Sequence, residues 1–107
     1  MLMPTDHLRT ATAAWVYEVC SEYDLEPHHI RLLLLAAQAW DRAEQAREIL
    51  AQTGLTFLDR NACPKPRPEI AVERDCRIAF ARLMRELDLD MTGIDEARPP
   101  ILKSNRG

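Results

Sequence analysis

Glycine is nearly missing from this chain, with three residues among 107, at positions 54, 93 and 107. No Gly-rich phosphate loop and no nucleophile elbow can therefore be assembled from it. Cysteine is equally sparse: Cys20, Cys63 and Cys76 are odd in number and lack C-x-x-C spacing. That pattern fits reduced thiols in a cytosolic protein better than a disulfide framework or a zinc site. No Ser or Cys carries an evident His and acid partner. His28 and His29 are adjacent on one helix, so their side chains diverge by about 100° and do not chelate one metal. Long apolar runs are missing too. The strongest, Leu32 to Ala37, is far too short to cross a bilayer, and no signal peptide precedes it. These absences exclude the common catalytic, metal-binding and membrane classes. They lead us to expect a soluble, non-enzymatic protein of the cytoplasm, with no cofactor and no metal.

Aromatic residues make up only 6% of the chain, so Leu, Ile and Ala must do most of the packing. Apolar residues account for 47% of the sequence, enough for one modest core and one domain at this length. The formal charge of −3 conceals a polarity along the chain. Residues 1–30 carry five acids and one Arg, residues 59–85 carry seven bases and four acids, and residues 97–107 carry three bases and no acid. Nucleic-acid contact depends on such local patches rather than on the total.

Hydrophobic periodicity predicts an all-α chain of three main helices, over about 5–23, 27–53 and 69–87. Thr5 is read as the first N-cap, with Asp6 in the first turn and Leu8, Ala11, Trp15, Val19 and Tyr23 as the apolar stripe. Pro27 suits the first turn of the second helix. That helix would be roughly 40 Å long at 1.5 Å per residue, against a diameter of about 34 Å for a compact domain of this size. Its main stripe is Leu32, Leu33, Ala36, Ala39, Trp40, Ala43, Ala46 and Leu50, while Ile30, Leu34 and Ala37 form a second patch turned well away. Two apolar surfaces on an overlong helix predict oligomerisation, with Ile30, Leu34, Ala37 and Trp40 as interface candidates.

Gly54 reads as a helix stop in the left-handed conformation. Leu55 to Asp59 alternates apolar and polar, Asp59-Arg60-Asn61-Ala62 has turn chemistry, and prolines 64, 66 and 68 hold off the next helix until Glu69. A short β-hairpin-like loop between the second and third helices follows from this. The third helix should bury Val72, Cys76, Ala79, Phe80, Leu83, Met84 and Leu87 and turn Arg74, Arg77, Arg82 and Arg85 outward. That face suits phosphate contact or a salt-bridged solvated surface about equally, with Lys65 and Arg67 able to extend it. No base-edge reader is evident. The organisation expected is one helical domain over 1–94 and a flexible, basic, Pro-containing tail over 95–107.

Four words in order carry a resemblance: Trp40-Asp41-Arg42-Ala43-Glu44, Gly54-Leu55-Thr56, Pro68-Glu69-Ile70-Ala71-Val72-Glu73-Arg74-Asp75 and Leu83-Met84-Arg85-Glu86-Leu87. In this order and spacing, over roughly residues 5–90, the chain resembles the small subunit of tailed-phage terminases. Asn61-Ala62 replaces an Asn/Phe-Gly-like turn, and Asp88 stands where a Gly often follows the last word. The resemblance implies a non-enzymatic, ring-forming component that engages viral double-stranded DNA and regulates the ATPase and nuclease of the large subunit in the host cytoplasm. DNA contact would then fall to Lys65, Arg67, Arg74, Arg77, Arg82 and Arg85, and the tail would dock on the large subunit or portal. The competing class is a helical oligomeric adaptor that touches no nucleic acid.

Overall fold

The computed structural model describes residues 4–88. The elements are α1 (Thr10–Glu22), α2 (Pro27–Thr53), β1 (Thr56–Leu58), β2 (Pro64–Pro66) and α3 (Pro68–Leu87). The expected 94/95 boundary and flexible tail lie outside the described residues.

The second helix has the bounds the sequence predicts. Pro27 occupies its first turn, where the missing N–H costs nothing. Ahead of it Glu26 and His29 form a reciprocal cap. The Glu26 carboxylate accepts from the His29 backbone, and the Glu26 N–H donates to His29 Nδ1 at 3.2 Å. At the other end Gly54 closes the helix, its N–H bonded to the Leu50 carbonyl at 2.8 Å. The conformation is φ 86°, ψ 178° rather than the left-handed helical one expected, a region essentially reserved for glycine. It throws the chain directly into β1.

The first helix starts later than the sequence suggests. Thr5 closes a turn with Leu8 instead of capping, and Arg9 is the N-cap. Asp41, from the middle of α2, supplies the cap. One of its carboxylate oxygens accepts from the Arg9 N–H at 2.8 Å and the other from the Thr12 hydroxyl. An anion supplied by a neighbouring helix thus satisfies one of the orphan backbone donors at the start of α1 and complements its dipole. The buried stripe is accordingly shifted from the expected one. Thr12, Val16 and Val19 are buried beside Leu8, while Ala11 is exposed.

The hairpin is antiparallel, pairing Thr56 with Pro66, Phe57 with Lys65 and Leu58 with Pro64. Asp59 organises its turn by accepting from the N–H groups of Asn61 and Cys63 at 2.8 and 3.0 Å. Beyond it, α3 runs back along α2. Helix α2 is the spine, with both α1 and α3 packed against it. Leu8, Val16, Val19, Leu33, Ala37 and Leu87 form the core, drawing on all three helices. Phe80 bridges the two tryptophans, with ring centroids 5.1 Å from Trp40 and 6.2 Å from Trp15. On α3 the inward residues are Phe80, Met84 and Leu87, whereas Val72, expected inside, is exposed.

Candidate nucleic-acid interface

Six basic residues are candidates, and the fold separates them into three settings. Lys65 and Arg67 belong to the hairpin and its exit. Lys65 stands opposite Phe57 across the strands, and the Arg67 guanidinium lies over the Phe57 ring, 5.9 Å from its centroid. The Arg67 Nε and the nearby Glu69 Oε1 are buried atoms without a hydrogen-bond partner. On α3, Arg74, Arg82 and Arg85 are exposed. Arg74 pairs only with its neighbour Asp75 at 3.1 Å, both largely in solvent, a contact of little energy. No ion pair engages Arg82 or Arg85 among the described residues. Arg74 and Arg85 lie eleven residues apart, which on a helix aligns them within about 20° and separates them by roughly 16 Å.

Arg77 is set apart. Its guanidinium bonds Glu73 one turn back, at 3.1 and 3.2 Å, and reaches Glu44 of α2 at 3.3 Å. Hydrogen bonding to Glu73 and then Glu44 pushes its pKa up. Glu44 also accepts from Arg47, which together with Arg77 holds this carboxyl below its ordinary 4.5. Arg77 is therefore a strut between α3 and α2. Arg9 is its counterpart, gripping Glu48 of α2 through two bonds of 2.9 and 3.0 Å. The Arg9 guanidinium holds the Glu48 carboxyl below the usual range. Both acidic residues are most stabilising when ionised. Because their folded pKa is lowered, this contribution is complete above the ordinary carboxylate value and is lost as pH falls through the folded one.

The four interface candidates also divide. Ala37 is fully buried inside the chain's own core, and Leu34 packs against that core, because α1 covers the second apolar patch of α2. Ile30 is half-buried. Trp40 alone of the four is substantially exposed, at 42%. It forms part of an open apolar groove of about 470 Å³ lined by Ala11, Thr12 and Trp15 of α1, Trp40, and Phe80 and Met84 of α3.

Sequence reasoning passed over two features. Arg60 sits exposed on the hairpin turn and adds to the basic cluster there; its position in the turn was the available signal. The Asp41 cap was beyond reach, since nothing local links Asp41 to Arg9. Among the described residues no three His, Cys, Asp or Glu side chains are placed to hold a metal, and no helix is long and apolar enough to cross a membrane.

The architecture is thus an all-helical spine with a projecting hairpin, its polar chemistry spread over the surface. The chain belongs to the phage terminase small-subunit family, whose model matches residues 13–101. Membership assigns it a part in phage genome packaging, within a family that is generally non-catalytic and acts on viral DNA in the infected cell. No curated protein and no solved structure matches the chain.

Proposed function

We propose that this protein is the non-enzymatic DNA-engaging and assembly component of a packaging terminase. In this role it forms a ring, holds viral double-stranded DNA and regulates the ATPase and nuclease of the large subunit in the host cytoplasm. The observation that carries the reading is the family match, which spans both the α2 spine and the basic α3. Lys65, Arg67, Arg74, Arg82 and Arg85 make the DNA surface, with Arg60 beside them. Guanidinium groups in such an exposed row suit phosphate oxygens, which fix position without reading sequence. Arg77 serves mainly to hold α3 in place.

Salt dependence tests the assignment. On duplex DNA, each phosphate that a basic side chain neutralises adds about 0.9 to the slope of log K against log salt. Changing Lys65, Arg74, Arg82 and Arg85 together to Ala should therefore flatten that slope by up to about 3.6 units, as read by fluorescence anisotropy on duplex DNA. Arg77→Ala should lower thermal stability and leave the slope nearly unchanged. An unaltered slope in the fourfold variant would remove these residues from the DNA surface. Absence of DNA binding in the unmodified chain would favour the adaptor role instead.

A further inference from the structure

Two apolar surfaces of the described chain have nothing covering them, and they differ in shape. The first is the groove between α1 and α3 over Trp40. The Thr12 hydroxyl is already committed to Asp41, so apart from the indole N–H groups of Trp15 and Trp40 the groove offers aromatic and aliphatic surface. The second is a face of the hairpin. Side chains alternate along a strand, so Thr56, Leu58, Pro64 and Pro66 share one side by register. All four are exposed, Leu58 to 66%, more than any other large hydrophobic residue among those described. Two-stranded sheets are marginal without a cover, and exposed contiguous apolar surface marks an interaction site.

The two surfaces complement each other. Proline rings pack well in aromatic-lined grooves. Pro64 and Pro66 bring no N–H to this edge, so burying them strands no donor. The charges agree as well. Arg60 stands on the turn beside Leu58, and α1, one wall of the groove, carries Glu18 and Glu22 and no base. On the α3 wall Arg77 is already paired with Glu73 and Glu44. Lys65 and Arg67, on the Phe57 side of the hairpin, stay turned away toward DNA. A chain cannot satisfy its own groove this way. From Trp40 to Thr53 the continuous helix α2 climbs about 20 Å before the hairpin begins.

We propose that the occupant of the groove is a second copy of this chain, whose Leu58–Pro64–Pro66 face seats against Trp15, Trp40 and Phe80. Donor and acceptor are different patches of one protomer, so the contact is head-to-tail and repeats until it closes. This deepens the assembly reading above and rests on it.

Light scattering of the unmodified full chain over a concentration series comes first. A monomer throughout would end both the assembly reading and the docking. Given an assembly, Leu58→Asp and Ala11→Arg should each weaken it roughly tenfold or more, with circular dichroism unchanged. Ala11 is exposed on the groove wall, so the Arg obstructs and repels the basic hairpin without disturbing the core. Mixing the two variants should give dimers, because the intact hairpin of the Ala11→Arg chain meets the intact groove of the Leu58→Asp chain. Oxidised Ala11→Cys protein should form a covalent ladder through the exposed Cys63, and adding Cys63→Ser should abolish it. Single variants that assemble like the unmodified chain, or a mixture that stays monomeric, would discard the docking and leave ring formation standing on other surfaces.

Discussion

The helical body and the hairpin are held together by opposite means. In the body, burial is supplemented by two ion pairs. Leu33, Ala36 and Ala37 are completely buried, and charged side chains bridge the helices, Arg9 to Glu48 and Arg77 to Glu44. The hairpin has no such backing: every residue of β1 and β2 is exposed. Its shape comes from the backbone, through Gly54 at one end, the Asp59 turn in the middle, and prolines that restrict β2. One region is specified by packing and the other by dihedral angles. The body therefore tolerates little change in side-chain volume, and the hairpin little change in chain geometry.

That contrast breaks most visibly at Leu33. Leu33→Ala should cost about 2–5 kcal/mol in chemical denaturation, as large-to-small changes in closed cores do, while Leu58→Ala, measured in the Ala11→Arg background where the hairpin has no groove to enter, should stay within about 0.5 kcal/mol. Similar losses at both sites would show that the hairpin is backed by packing after all. Gly54→Ala comes next. A Cβ there meets nothing within 4 Å, so its effect isolates the backbone term. We expect a loss of about 1–3 kcal/mol in the same denaturation assay, since φ 86° with ψ 178° is closed to other residues. A negligible loss would mean that the hairpin swings freely to a new exit angle.

The smallest effect lies at the turn. Ala62 has φ 60°, a left-handed conformation that costs a residue with a side chain about 1–2 kcal/mol. Glycine would relieve it but adds freedom to the unfolded chain, so Ala62→Gly should raise stability by no more than about 1 kcal/mol in a thermal melt. A destabilised variant would show that the turn is held by something other than the Asp59 bonds.

Much of this was legible in the sequence, for identifiable reasons. The α2 helix was framed by punctuation that acts locally, Pro27 at its start and Gly54 at its end. The hairpin followed from alternation up to a turn and from spaced prolines. Even the two departures from the family pattern were informative. Asn61-Ala62 and Asp88 contain the only positive-φ residues besides Gly54 among those described, Ala62 and Asp88. The phase of α1 was not legible, because Thr12 looks like a surface residue until Asp41 accepts its hydroxyl. Arg77 was legible in part: its i,i+4 spacing offers the pair with Glu73 that forms, and nothing local offers the reach to α2. Only the return of α3 along α2 brings it to Glu44.

The sequence by itself determined the inventory of elements, their order and the distribution of charge, because helix stops, turn chemistry and periodicity operate over a few residues. The tertiary structure decided where α1 begins, which patch of α2 is used up inside the chain, and which arginines remain free for a partner. Those outcomes depend on groups twenty-nine to thirty-nine positions apart meeting in space, and no local pattern encodes such a meeting.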